Sequence, residues 1–221
     1  NAPSPVNITA TGNIVVNDLI NAFTIGASGA NISMTSTGGI TGNTANLTAT
    51  TGSISMNNAA FPTQINTLNL NAVTGIYGST PIDPFRTGGS PSTIINASNS
   101  GAGPILINDV SSNGLTVGSP GINQSGAGQP ISLYTNPVSI GGMTVNGPII
   151  NNSGDILLTV GKQDYLLTLN NTVTATGGNV TYVADNIQVN AMTTSSPGAG
   201  ANIHVYPFTG TTNIEFSPNA D

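Results

Sequence analysis

The sequence predicts an all-β protein, a parallel β-helix (β-solenoid) that spans residues 1–221 as a single elongated domain. Three observations predict this fold. Short segments alternate apolar and polar residues with the period of two that is typical of half-buried strands. No segment combines helical periodicity with helix caps, so helix is expected to be absent. The strands also recur at a nearly constant step along the chain, as in repeat proteins.

The first part of the chain, from Val6 to 72, consists of short predicted strands separated by Gly and Asn. Its clearest strands are Ile14–Val16, Ile32–Met34, Ile54–Met56 and 65–72. In each of them alternate residues are apolar, which indicates one face toward a core and one toward solvent.

An excursion at about 76–92 interrupts this pattern. Pro81, Pro84 and Pro91 cannot donate to a strand ladder, so the segment is predicted to be a loop. A second irregular region, rich in Gly and Pro, is expected from Gly114 to Pro130. Between and after these regions the predicted strands are 105–107, 131–134, 143–145, 156–160, 166–169, 180–183, 187–189, 203–206 and 214–216.

Equivalent strands begin at regular intervals. The first apolar residues of these strands, here called lead residues, are Ile32, Ile54, Ile105, Ile131, Ile156, Val180 and Ile203. They are separated by 22, 51, 26, 25, 24 and 23 residues, and the step of 51 corresponds to two coils, one of which contains the excursion. A chain of this length then forms roughly nine coils, which stack to about 40 Å at the usual strand spacing.

A short phrase also recurs: an apolar residue, then Thr, then Ala or Ser, then Thr, with a Gly within the next two residues. It begins at Ile8, Met34, Leu47 and Val173, and the last copy opens the stretch Val173–Ala191. Within that stretch, Thr-Gly-Gly-Asn between two alternating runs is also a hairpin signal. An antiparallel β-sandwich is therefore the alternative fold.

Composition restricts the possible functions. Eight acidic and two basic residues give a net charge of −6, which excludes nucleic-acid binding, because that needs clustered Lys and Arg. No apolar run is long enough to insert into a membrane. The chain has no cysteine, and it begins Asn-Ala-Pro-Ser-Pro, without Met or signal peptide. The missing Met and signal peptide indicate a mature or excised piece of a longer protein, and the charged fraction of only 5% favours an extracellular β-rich protein.

Segments such as GNIVVND, GANISMTSTGGITGNTANLTATTGSISM and LNNTVTATGGNVTYVADNIQVNA resemble the repeat region of filamentous-haemagglutinin-like exoproteins. These are large bacterial surface adhesins secreted by two-partner or autotransporter routes. The resemblance covers about 6–72 and 131–191. It implies a right-handed parallel β-helix, export across an outer membrane, and adhesion or structural scaffolding. The family's Asn-Pro-Asn-Gly secretion motifs are not seen in this sequence, and the repeats carry no catalytic residues.

Binding is expected first in the excursion, which carries Tyr77, Asp83, Phe85 and Arg86. Aromatic residues and Arg are enriched at binding hot spots, and loops on a rigid scaffold commonly carry function. The alternative interpretation is a loop that folds over one face of the coil, with Phe85 covering apolar surface.

Neither catalysis nor a metal site is expected. The acidic residues are dispersed singly along the chain, whereas glycan-cleaving β-helices need clustered carboxylates. His204 is the only histidine and is predicted to be a surface strand residue. We expect no cofactor.

The sequence thus predicts a non-enzymatic, extracellular structural or adhesive protein, a rigid stalk or filament scaffold at the cell surface. Its expected partners are further copies or neighbouring repeats of the same protein, and host or surface glycans and proteins. Two alternatives remain: a β-sandwich subunit that assembles through strand edges, and a carbohydrate-active β-helix enzyme.

Overall fold

The computed structural model shows an all-β solenoid of about eight turns, built from parallel strands. The structure describes residues 4–57, 63–78, 80, 85–88, 93–111, 113–136, 141–191, 193–196, 201–210 and 215–216. Every pairing between the described strands is parallel and joins one coil to the next. The predicted parallel β-helix is confirmed, and the antiparallel sandwich is not found.

Each coil contributes to three parallel sheets, named here sheets I, II and III in the order in which the chain enters them. Four strands turn a corner and belong to sheet III with their first half and to sheet I with their second: β6 (Gly39–Ala49), β8 (Thr63–Ala72), β11 (Thr93–Asn99) and β13 (Leu115–Gln124). Sheet I further contains β1 (Val6–Thr9), β4 (Thr24–Gly29), β16 (Ile149–Asn151), β19 (Val173–Thr176) and β22 (Thr193–Ser196).

Sheet II consists of β2 (Ile14–Val16), β5 (Ile32–Met34), β7 (Ile54–Met56), β9 (Ile76–Tyr77), β12 (Ile105–Asp109), β14 (Ile131–Thr135), β17 (Ile156–Val160), β20 (Val180–Val183) and β23 (Ile203–Tyr206). Sheet III adds β3 (Leu19–Asn21), β15 (Met143–Val145), β18 (Leu166–Leu169), β21 (Asn186–Val189) and β24 (Glu215–Phe216). One further strand, β10 (Phe85–Gly88), pairs with both β12 and β8.

The lead residues are register partners throughout sheet II, as the spacing predicts. The structure adds two positions to the seven predicted ones, Ile14 below Ile32 and Ile76 between Ile54 and Ile105. Ile76 divides the step of 51 into coils of 22 and 29 residues, and the excursion lies in the longer one. Nine lead positions therefore enclose eight turns.

The interior is a continuous apolar column. Inward residues of the strands, such as Ile54, Ile105, Ile131 and Ile156, have no exposed surface, whereas their sequence neighbours point outward. Burial of this apolar area is the main favourable term in folding. Because every strand is paired on both sides in the middle of the stack, burial and hydrogen bonding are satisfied together.

Close corners depend on glycine. A Cβ atom on Gly42 would lie 1.9 Å from the carbonyl oxygen of Ala22, and one on Gly142 would lie 1.9 Å from that of Leu166. These distances are too short for any side chain, so the backbones of successive coils approach at these points only because glycine has no Cβ.

Two predicted irregular regions contain strands. The region from Gly114 to Pro130 holds β13, because Leu115, Val117 and Ile122 alternate inward on both sides of a local insertion. The excursion holds β9 and β10, although 79, 81–84 and 89–92 lie outside the described residues. The inserted residues around Pro120 conceal the period of two, which explains the missed strand.

A buried carboxyl lies at the end of β12. Asp109 has no exposed surface, and Thr87 Oγ1 donates to its Oδ1 at 3.0 Å. Its Oδ2 contacts Ser111 Oγ, which also lies 2.9 Å from the carbonyl oxygen of Gly114. When the carboxyl is ionised, the single Ser111 hydroxyl proton serves only one of these two contacts, whereas a protonated Asp109 donates to Ser111 Oγ and satisfies both. Burial raises the pKa of Asp109, and the hydrogen bonds from Ser111 and Thr87 lower it in part.

We expect Asp109→Asn to stabilise the fold at neutral pH by about 1–3 kcal/mol, because an amide donates to Ser111 Oγ without bearing charge. In the wild type, the folded state holds the Asp109 proton more tightly than the unfolded state. The free energy of unfolding should therefore fall as pH rises from the ordinary carboxyl pKa through the raised folded one. Asp109→Asn should remove this dependence.

Denaturant unfolding over a pH series measures this effect. The control is Asp164→Asn, an exposed carboxyl at a φ of 65° that Asn also adopts, which should keep the wild-type pH dependence. An Asp109→Asn protein that is less stable than the wild type at neutral pH would contradict the protonated state.

Candidate functional site

A groove runs along the outer face of sheet I, with a volume of about 670 Å³. Its floor is made of outward side chains from successive coils, which form two rows because strand side chains alternate. The first row consists of Asn46, Asn69 and Asn96. The second row consists of Thr48, Asn71, Ser98, Asn123 and Ile150.

The first row is a hydrogen-bonded amide ladder. Nδ2 of Asn69 donates to Oδ1 of Asn46 at 2.8 Å, and Nδ2 of Asn96 donates to Oδ1 of Asn69 at 2.8 Å. Each amide bonds to the one in the next coil, so the side chains repeat the backbone ladder beneath them. In the second row Ser98 Oγ likewise donates to Oδ1 of Asn71 at 2.9 Å. These bonds hold five polar side chains of the floor in place.

One wall of the groove is a bulge in β13. Ile95 and Ala97 of β11 align with Val117 and Ile122, so residues 118–121 stand opposite Asn96 alone. Ser119 and Pro120 project from the sheet as a result, and both are exposed. The backbone N–H of Gly121 donates to Oδ1 of Asn96 at 3.2 Å, which fixes the wall to the end of the amide ladder.

Glycine is required where this wall meets the next coil. Gly121 has a φ of +103°, and a Cβ atom there would lie 2.1 Å from the carbonyl oxygen of Pro148. Pro148 itself lines the groove next to Pro120. The two prolines thus add apolar surface beside the polar rows, as Ile150 does at the end of the second row.

A smaller depression of about 240 Å³ continues the groove toward the first coil and shares Asn46 and Thr48 with it. Here Asn7 and Thr9 extend the two rows, with Gly26 and Ser28 between them and the larger depression. A Cβ atom on Gly26 would lie 2.5 Å from Oδ1 of Asn7, so the absence of a side chain leaves room for that amide.

The lining is uncharged. Its residues are amides, hydroxyls, aliphatic side chains, glycines and prolines. An amide offers two N–H donors and two lone pairs, and a hydroxyl offers one donor and two lone pairs. The groove can therefore exchange hydrogen bonds with a polar, neutral ligand.

The structure describes three of the four binding residues predicted in the excursion, and Tyr77 and Arg86 lie in strands that both pair with β12. Tyr77 is half-buried on the outer face of sheet II, in register with Ser55, and Arg86 is half-buried in β10 opposite Asn108. Phe85 has no exposed surface and packs in the core, as in the alternative interpretation of a loop that covers apolar surface. Asp83 lies outside the described residues. Binding through Tyr77 and Arg86 stays a prediction.

Among the described residues, two carboxylates accept backbone hydrogen bonds at corners, and the histidine lies in a strand. Asp155 accepts a bond from the backbone N–H of Asn179 at 2.7 Å, and buried Asp185 accepts one from that of Thr209 at 2.9 Å, so both act at corners. His204 stacks on Tyr206 with ring centroids 6.0 Å apart. Within the described ranges, no three His, Cys, Asp or Glu residues form a group that could hold a metal ion.

Searches for related proteins give no further guide. No protein-family model, curated protein or solved structure matches the chain. Among the described residues, no helix has the length and apolar character needed to cross a membrane.

Sequence reasoning missed the groove, although a signal was present. Asn46, Asn69 and Asn96 follow one another at 23 and 27 residues, which is one coil each. The prediction used this spacing for apolar lead residues only. The bulge that forms the wall could not be derived from spacing, because it depends on which residues of β11 and β13 align.

We expect Asn96→Ala to loosen the wall and to cost about 1–3 kcal/mol, because it leaves the Gly121 N–H and Asn69 Oδ1 without their partner. Amide hydrogen exchange at Gly121 should accelerate, and thermal unfolding should occur at lower temperature. The control is Asn123→Ala, at an exposed position of the same groove, which should change neither quantity. Unchanged protection of Gly121 in Asn96→Ala would show that the bond does not hold the wall.

Proposed function

We propose that this chain is a non-enzymatic, extracellular β-solenoid scaffold, a rigid stalk or filament segment that presents its outer faces for adhesive contact. One observation carries the proposal: nine lead positions stack in register around a continuous apolar core. Along the described residues the fold consists of regularly stacked coils, and solenoids of this kind are stabilised by contacts between neighbouring repeats.

Stiffness follows from the way in which coils are joined. Each coil is attached to the next by three parallel ladders and by side chains that interlock in the core. Outside the core, further ladders of asparagine tie the corners, as in the bonds from Asn170 to Asn146 and from Asn190 to Asn170. A force along the axis therefore loads many hydrogen bonds of one coil at once.

An extracellular adhesive setting is supported by composition and by the resemblance to filamentous-haemagglutinin-like repeats. With charged residues at 5%, solubility depends on Asn, Thr, Ser and Gly. A groove of amides and hydroxyls supplies groups for binding, whereas glycan hydrolysis uses a pair of carboxylates. This favours a binding role for the groove over the alternative of a carbohydrate-active enzyme.

Self-association is part of the proposal. The described pairings leave one edge of β1, β2 and β3 open, and Leu19 and Phe23 of this first coil are each 51% exposed. An open edge with exposed apolar side chains accepts a further coil, either from a neighbouring repeat or from a second copy.

Single-molecule force spectroscopy tests the scaffold function. We expect stepwise unfolding with length increments of roughly 70–100 Å, one coil at a time, from the extended length per residue. Ile131→Ala should lower the unfolding force because it opens a cavity in the core, whereas the matched outer-face variant Ser132→Ala should not. Extension without resistance, or equal effects of both variants, would contradict a role in bearing load.

Sedimentation velocity over a range of concentrations tests the association. The wild type should form larger species as its concentration rises, and Leu19→Lys should suppress them, because Lys at an open edge opposes pairing. Val189→Lys, at another exposed apolar strand position, is the control and should associate like the wild type. Association that is unaffected by Leu19→Lys would exclude the first coil as the contact.

A further inference from the structure

We propose that the groove of sheet I binds a neutral, unbranched glycan chain that lies along the solenoid axis. The inference deepens the proposed function and rests on its adhesive part, since it names the class of ligand that the scaffold would hold.

The lining has the chemistry that sugar hydroxyls require. A hydroxyl both donates and accepts, and so do the amides and hydroxyls of the two rows. The ladder uses one N–H of Asn69, so its Nδ2 retains a second N–H, whereas Asn96 is buried and holds the end of the ladder. The second row adds Asn71 and Asn123, which are both exposed.

The spacing of the floor suits a repeating ligand. Successive coils lie about 4.8 Å apart, which is close to the length of one pyranose unit in an extended chain. A glycan along the axis would therefore meet an equivalent pair of polar groups at each coil, such as Asn46 with Thr48 and then Asn69 with Asn71. The two adjoining depressions provide length for several such units.

The floor is also preorganised. The bonds between Asn46, Asn69 and Asn96, and the bond from Gly121 to Asn96, hold the amides in one arrangement. Binding to groups that are already ordered avoids the entropy cost of fixing flexible side chains. At one end Pro120, Pro148 and Ile150 give an apolar border that suits the C–H face of a sugar ring.

Charge and geometry favour a neutral glycan over other ligands. No Lys or Arg is found in the lining, and the chain carries a net charge of −6, so acidic glycans lack a counter-charge. An extended peptide is recognised mainly through backbone hydrogen bonds at a sheet edge. The groove lies on a sheet face, where the backbone groups are already used between coils.

Isothermal titration calorimetry of the full chain tests the proposal. The probes are cellohexaose, laminarihexaose and maltohexaose as neutral chains, hexagalacturonate as an acidic one, and an extended decapeptide of Ser, Thr and Gly. We expect at least one neutral hexasaccharide to bind at up to millimolar concentration. Asn71→Ala combined with Asn123→Ala should weaken it by about tenfold or more, because it removes two hydrogen-bonding side chains from the floor.

The matched control combines Asn21→Ala with Asn186→Ala, two exposed asparagines on strands of sheet III. It should bind like the wild type, and circular dichroism should show that both double variants unfold at the wild-type temperature. Binding of none of the neutral chains, preference for hexagalacturonate or the peptide, or equal affinity of both double variants would overturn the proposal.

Failure of this proposal can be distinguished from failure of the scaffold function. A chain that unfolds coil by coil under force and binds no neutral glycan would remain a scaffold without this ligand. A chain that binds the glycan and yields without resistance would have the site without the mechanical role.

Discussion

Register between successive coils is the constraint on which the rest of the molecule depends. In sheet II the backbone N–H of one lead residue donates to the carbonyl that precedes the next, as from Ile131 to Asp155 at 2.9 Å and from Ile156 to Asn179 at 2.8 Å. A slip by one residue would turn every inward side chain outward. Differences in coil length must therefore be absorbed at corners and in loops, as in the coil of 29 residues after Ile76.

The same register that builds the core also builds the groove. Strand side chains alternate, so a column of buried Leu47 and Leu70 places Asn46 and Asn69 in a column outside. Asparagines in register on successive coils bond to each other because each amide has both a donor and an acceptor. The bulge at 118–121 then adds a wall without disturbing the register on either side, since pairing resumes at Ile122.

Polar residues also occupy the interior, where the same rule of stacking applies. Asn99, Gln124 and Asn151 lie inward in register, at a level where Ala72 and Ala175 occupy neighbouring coils. Their amides donate to carbonyl oxygens at the corners between strands, as Asn99 Nδ2 does to those of Gly101 and Gly103. Buried amides are tolerated here because the described contacts supply most of their partners. Asp109 is likewise buried with hydrogen-bonding partners, Thr87 and Ser111, and its protonated carboxyl can donate to Ser111.

The sequence by itself determined the fold class, the seven predicted lead residues and the place of the long coil, because a core that stacks in register repeats its apolar residues at coil length. Tertiary structure alone decided which repeated phrases are equivalent: the copy at Met34 begins at the last residue of a strand of sheet II, whereas those at Ile8, Leu47 and Val173 begin in strands of sheet I. It also decided between the two interpretations of Phe85, and it placed the wall of the groove, whereas the row of asparagines already repeats at coil length in the sequence. These features depend on contacts between residues one coil apart, and their alignment follows from corners and bulges that leave no regular mark on the sequence.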